Sequence, residues 1–190
     1  MTSIDFSKVF LGSSSKEKLD EYQSFGLPLK QTTLPDAPEV QGTEEEVIIY
    51  KSLNFGENFL VEDTSLYVEG FDVGVNIKWL IKEIHSNRKF QGKKATWLVY
   101  MGLVQSGKLY LVTGKVSGII NMDRKTKEAF GFDSVFIPDG ASETLWELKQ
   151  NHKKTDYSAR KLAIDKMLNN EFDKVISVDQ IPHWNGSFQK

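Results

Sequence analysis

The stretch Phe59-Leu-Val-Glu-Asp-Thr-Ser-Leu-Tyr-Val68 brings two adjacent carboxylates, Glu62 and Asp63, and then two hydroxyls, Thr64 and Ser65, onto an apolar strand. Carboxylates at the end of a buried strand are costly to desolvate unless a cation offsets them. A lysine, an arginine or a divalent metal would serve, and Lys78 follows sixteen positions after Glu62. The same residues can also simply open a turn. A second group lies upstream, where Gly12-Ser-Ser-Ser15 joins a short strand to a helix. Free N–H groups of a first helical turn and the helix dipole favour an anion such as phosphate there. Ser13, Ser14 and Ser15 add hydroxyl donors and Lys18 lies one turn in, although serines also serve as plain helix caps.

Two further groups could handle a planar base. In Phe130-Gly-Phe-Asp133, aromatic rings at Phe130 and Phe132 would stack on it and Asp133 would accept a ring N–H; the alternative is an apolar loop folded into the core. Lys153-Lys-Thr-Asp-Tyr-Ser-Ala-Arg160 is a basic loop running into a helix start, with Lys154, Ser158 and Arg160 as candidate ligands. Arg160 offers a fixed fork of donors suited to a carbonyl oxygen or phosphate. As isolated charges these would be a solvated loop. Lys78, near a helix start, opposes the dipole and calls for a nearby anion unless it is a surface lysine.

Positioning these groups requires alternating strands and helices. Residues 9–11 read as a short buried strand, followed by a helix with Leu19, Tyr22 and Phe25 on one face, Ser14 and Glu17 spaced as a capping box, and Gly26 at its end. A strand over 29–34 is broken at Pro35. Thr43-Glu-Glu-Glu46 caps a helix carrying Val47, Ile48 and Tyr50. Ile77, Leu80, Ile81 and Ile84 give an amphipathic stripe. Strands over 95–105 and 108–117 flank Ser106-Gly107, a two-residue hairpin signal. Ser158 opens a last helix to about Asn169, with Leu162, Ala163 and Met167 inward. Val175, Ile176, Val178 and Ile181 add a further strand or docking segment. This order predicts an α/β fold with a mixed sheet.

At 190 residues the chain reads as one domain, with a core over about 9–168 and a C-terminal extension over 171–190. A net charge of −2 argues against a general nucleic-acid binder. The sequence has no apolar run long enough to span a bilayer and no signal peptide, so no membrane partner and a cytoplasmic location are expected. With no cysteine and three scattered histidines, any metal would be a hard cation on carboxylates, magnesium before zinc.

Taken in order, the segments resemble the inosine triphosphate pyrophosphatase family. Val61-Glu-Asp-Thr-Ser-Leu66 matches its signature run verbatim. Ser13 to Lys18 matches its phosphate loop, Pro38-Glu39 its Pro-Glu segment, and Gly74 to Trp79 its Gly-x-x-x-Lys-Trp segment. Ser117 to Ile120, Phe130 to Asp133 and Lys154 to Arg160 match its later motifs. The sequence departs at Ser15, Phe132, Ser134, Thr155 and Ala159, and its 85–94 segment is shorter. The phosphate and metal half is thus kept while the base-reading half is altered.

The resemblance implies a long mixed sheet flanked by helices, two lobes with a nucleotide cleft between them, and a homodimer. It implies Mg²⁺-dependent hydrolysis of deaminated purine nucleoside triphosphates to monophosphate and pyrophosphate. Glu39 and Asp63 would hold Mg²⁺, Asp63 or Glu62 would orient or deprotonate water, and Lys18, Lys78, Lys154 and the Ser13–Ser15 loop would neutralise the triphosphate. Ser65, Phe130, Phe132, Asp133, Ser158 and Arg160 complete the substrate-binding set. A nucleotide sensor without turnover, or a pyrophosphatase for another modified triphosphate, are the alternatives.

Overall fold

The computed structural model describes residues 4–71, 77–84, 86–129 and 131–189, with side chains set aside at 77–80. In chain order the regular elements are β1 (Phe10–Leu11), α1 (Lys16–Ser24), β2 (Lys30–Gln31), α2 (Glu44–Phe55), β3 (Phe59–Val68), α3 (Ile77–Ile84), β4 (Lys94–Gln105), β5 (Lys108–Ile120), β6 (Phe136–Pro138), α4 (Leu145–Gln150), α5 (Ala159–Leu168) and β7 (Lys174–Ser177), with short 3₁₀ turns between. The strands join one mixed sheet in the order β2-β1-β3-β4-β5-β6, and β7 also pairs with β5. β1 lies parallel to both β2 and β3, whereas β6 and β7 run antiparallel to β5. The expected α/β fold with a mixed sheet is therefore present. Among the described residues no helix is long and apolar enough to cross a membrane.

Local chemistry explains most element ends. Thr43 and Glu46 close a full capping box at the start of α2, and Thr144 and Glu147 do the same for α4. Each box satisfies two backbone donors that a helix start would otherwise leave open. Between β4 and β5, Ser106 and Gly107 both take positive φ, 54° and 72°, the backbone of a two-residue turn whose twist matches its strands. The first helix departs from expectation. Its cap is Ser15, which accepts from the Lys18 amide, and not Ser14, whose amide and hydroxyl both donate to Asp36. The predicted strand over 29–34 shrinks to two residues, and Leu162 is 48% exposed while Ala163 and Met167 are buried.

The chain divides into two compact units, one built from the described parts of 1–63, 100–113 and 162–190, the other from 64–99 and 114–161. In the first, Ile48, Ile49 and Phe55 of α2 pack on Val61, Val104, Leu109 and Leu111 from the strands. In the second, Trp97, Phe132 and Phe136 are buried, and the Phe132 ring stands edge-on to both others at 5.8 Å.

Gly118 marks a close approach in the second unit. A Cβ there would overlap the Ile137 carbonyl of the paired strand β6. Backbone cannot move aside as a side chain can, so Gly118→Ala should destabilise by about 1–3 kcal/mol. Urea titration of wild type and variant checks this; equal midpoints would contradict it.

Candidate active site

In the first unit, β3 delivers Glu62 and Asp63 beside α1 and α2. Neighbouring strand residues point to opposite faces, and the two carboxylates meet different partners. Glu62 is 3% exposed. One of its oxygens accepts from the Tyr22 hydroxyl at 2.8 Å and the other pairs with Lys18 Nζ at 3.3 Å. A buried charge with both a cation and a neutral donor is the arrangement that makes such burial tolerable.

Asp63 is held differently. Burial pushes its pKa up to about 6. The charges of Lys51 and Lys18 pull it down, and those of Glu39 and Glu62 push it up again. The result is a carboxyl poised near neutrality, the range suited to a general base at physiological pH.

Lys51 is the residue that sequence reasoning missed. Its Nζ donates to Glu39 Oε1 at 3.0 Å and to the Glu62 carbonyl at 3.1 Å, and its side chain is mostly buried. A signal was present: Lys51 follows Val47 by four and Ile48 by three, so it sits on the inward stripe of α2 along with Ser52 and Phe55. A lysine on such a stripe implies an inward anion. Tyr22, read as an apolar-face residue, likewise carries the hydroxyl that satisfies Glu62.

The serine loop is tied down on three sides. The Ser13 carbonyl accepts from the Gln31 side chain at 2.6 Å, the Ser13 hydroxyl accepts from the Ser15 amide at 3.2 Å, and Ser14 grips Asp36 at 3.0 and 3.1 Å. Gly12 is required here, because a Cβ would lie 2.8 Å from Val61 Cγ1 and 3.2 Å from the Phe55 ring. The first unit thus assembles Ser13, Ser14, Ser15, Lys18, Glu39, Glu62 and Asp63 from the residues predicted, and adds Lys51, Tyr22 and Asp36.

Among the described residues, the second unit holds the other predicted ones. Asp133 and Lys154, both largely buried, form an ion pair at 2.8 Å, and Lys154 Nζ stands 5.8 Å from the centre of the Trp97 ring. Ser158 is 1% exposed and its hydroxyl accepts from the Lys161 amide, capping α5. Arg160 is 6% exposed and Ser65 2%. Phe132 belongs to the buried aromatic group described above. Gly74, Phe130, His85 and the Lys78 side chain lie outside the described residues. His152 and His183 are exposed.

Whether Mg²⁺ suits these residues is decided by the donor set. Among the described residues, no group of three or more His, Cys, Asp or Glu side chains converges on one point. Magnesium does not need one, since it commonly binds through one or two carboxylates with waters and phosphate oxygens. Glu39 and Asp63 are hard oxygen donors close enough for the charge on Glu39 to raise the pKa of Asp63. A cation shared by the two would relieve that repulsion, so the residues fit the metal.

A carboxylate pair balanced by lysines, beside a serine loop at a helix start on a mixed α/β sheet, has the chemistry suited to phosphate. The chain belongs to the Ham1 family, whose model matches residues 9–170. It is 34% identical over 146 residues to an inosine triphosphate pyrophosphatase of Scheffersomyces stipitis, covering 70% of this chain and 74% of that protein. It is 25% identical over 164 residues to a dITP/XTP pyrophosphatase of Hyperthermus butylicus, covering 76% and 85%. The fold is that of the Staphylococcus aureus Ham1 protein, with a TM-score of 0.62 at 19% identity over 86% of this chain and 97% of that one. The resemblance read from the sequence motifs is thereby borne out.

Proposed function

We propose that this chain is a Mg²⁺-dependent pyrophosphatase. It hydrolyses deaminated purine nucleoside triphosphates (ITP, dITP, XTP) to the monophosphate and pyrophosphate, clearing them from the cytoplasmic nucleotide pool as a homodimer. The observation that carries this reading is Asp63, poised at about 6 among Lys51, Lys18, Glu39 and Glu62, in a chain whose relatives bear those activities as names.

In this reading Asp63 orients a water and takes its proton as the water oxygen bonds to the α-phosphorus. The bond from that phosphorus to the bridging oxygen breaks, and pyrophosphate leaves with the electron pair. Lys18, Lys51 and Lys78 neutralise the charge that builds on the leaving group, and the Ser13–Ser15 loop donates to its oxygens, with phosphate replacing Asp36 on Ser14. Glu62, already engaged by Tyr22 and Lys18, holds Lys18 in place. Bound magnesium, carried by Glu39 and Asp63, would add charge neutralisation on the phosphate oxygens. Lys154, Ser65 and Ser158 are assigned to the nucleotide, with Phe130 and Phe132 at the base and Asp133 as acceptor for its ring N–H.

Base choice rests on Arg160. Hypoxanthine and xanthine present an acceptor oxygen at position 6, where adenine presents an amino donor. Arg160 has donors only, so it can donate to that oxygen but cannot accept from adenine's amino group, a mismatch of about 1–3 kcal/mol. We expect kcat/KM for ITP and XTP to exceed that for ATP by about five- to a hundred-and-fifty-fold. Ala159, where the family carries histidine, removes bulk, so GTP should be rejected less strictly than is the family habit. A panel of ITP, XTP, GTP and ATP with Mg²⁺, scored separately for phosphate and pyrophosphate, tests the whole reading. Release of inorganic phosphate alone, or binding without turnover, would overturn it. Equal rates on ITP and ATP would remove Arg160 from base selection.

A further inference from the structure

Segment 182–189 lies outside the part of the chain that the family model matches, yet it runs back to the segment bearing Glu39. Val40 and Phe188 form an antiparallel bridge. The Gln189 amide donates to the Glu39 carbonyl at 2.8 Å, the Gln41 amide donates to the Ser187 carbonyl at 2.9 Å, and the Gln189 side chain donates to the Val40 carbonyl at 3.1 Å. Residues 39–41, which follow Pro38 and belong to no helix or multi-residue strand, are thus ordered by main-chain pairing with a segment almost 150 positions away.

The far side of the same segment is anchored on α2. The Trp184 ring packs on Tyr50 at 5.0 Å, the Tyr50 hydroxyl donates to the Pro182 carbonyl at 2.9 Å, and Trp184 Nε1 donates to the Ser187 carbonyl at 3.0 Å. Gly42 and Gly186 make room for that ring: a Cβ on Gly186 would lie 2.5 Å from Trp184 Cζ2, and one on Gly42 would lie 3.2 Å from Cη2. Tyr50 is the chain neighbour of Lys51, whose ammonium holds Glu39 at 3.0 Å. One segment therefore fixes both partners of that pair, the carboxylate through its backbone and the lysine through the adjacent tyrosine.

We infer that 182–189 is a strap that positions Glu39 against Lys51 for cation and phosphate binding, with Trp184 as its anchor. The inference rests on the proposed role of Glu39 as a metal-holding carboxylate. A carboxylate on an otherwise irregular segment pays an ordering cost at every binding event unless that cost is met on folding. Residues that orient a metal ligand typically affect metal affinity by 10–100-fold.

The test compares the full chain with one ending at Ile181 and with Trp184→Ala and Trp184→Phe. Two readouts are independent of turnover: amide hydrogen exchange at Gln41, whose N–H the segment holds, and calorimetric titration with Mg²⁺ alone. Truncation should speed exchange at Gln41 at least about tenfold and weaken Mg²⁺ binding about tenfold or more. In assays, apparent KM for Mg²⁺ should rise while kcat at saturating Mg²⁺ stays within about twofold. Trp184→Ala should move the same quantities in the same direction, and Trp184→Phe should restore them. Should the truncated chain unfold, the Trp184 pair decides. Unchanged exchange at Gln41, or unchanged Mg²⁺ binding alongside a lowered Tm, overturns the strap. Failure of the full-length chain to hydrolyse any triphosphate would instead sink the proposed function, and the exchange arm would still judge the strap.

Discussion

Asp63→Asn is expected to lower kcat at least about a hundredfold and at the same time to make the metal-free protein more stable. The first effect follows from the loss of a carboxyl that burial leaves poised to take a proton near neutral pH. The second follows from linkage. The folded-state pKa of Asp63 is about 6, raised from 3.8, with burial as the leading cause. The native state therefore holds this proton more tightly than the unfolded chain does. Well below pH 3.8 the carboxyl is neutral in both states, and its contribution is fully present. As pH rises through about 6 the native group must ionise and that contribution is lost, at a cost of about 2 to 3 kcal/mol. Asparagine never ionises. The variant should match wild type in urea midpoint well below pH 3.8 and surpass it above pH 7, with the gap opening between about pH 4 and 6. Mg²⁺ should narrow the gap by stabilising wild type, because ligand binding favours the folded state only where the ligand has a site. Near-normal turnover in Asp63→Asn, or equal stability at pH 8, would refute the role assigned to this residue.

Strong local patterns made much of the fold legible in the sequence. β3 and α3 span the segments expected of them, and the Ser106-Gly107 hairpin lies where two residues with positive φ were called for. Short-range ambiguity accounts for the misplaced cap, since three consecutive serines can each cap a helix and only the distant Asp36 selects Ser15 by engaging Ser14. The site was half legible. Glu62 and Asp63 announce themselves as charges on an apolar strand, whereas Lys51 hides within a helix whose first turn carries three glutamates. The strap had no local signature at all. Pairing of 39–41 with 187–189 is a tertiary event, and a tail with Trp184, Gly186 and Phe188 reads in isolation as a loop.

The charges around Asp63 should tune it in opposite directions, and this separates an electrostatic site from a merely structural one. Lys51 is the largest of the influences that lower its pKa, and Glu39 the largest of the charges that raise it. Lys51→Met keeps the aliphatic stem on the inward face of α2 and deletes the ammonium, so Asp63 should become harder to ionise. The acid limb of kcat/KM should move to higher pH, with about tenfold or more activity lost at pH 6 and a smaller loss at pH 9. In Glu39→Gln the repulsion is gone and the acid limb should move to lower pH, even though overall activity falls with the loss of a metal-holding carboxylate. Stability of the metal-free proteins supplies a check free of kinetics. The fall in stability between about pH 4 and 6 should widen and extend upward in Lys51→Met, and shrink in Glu39→Gln. Lys51→Met also strands Glu39 and the Glu62 carbonyl without their shared donor, so a pH-independent loss of about 1–3 kcal/mol should accompany the shift. The two effects are separable because only the titration moves with pH. Displacement of both acid limbs in the same direction, or of neither, would mean that Asp63 does not set the pH dependence and that another group in the site takes the proton.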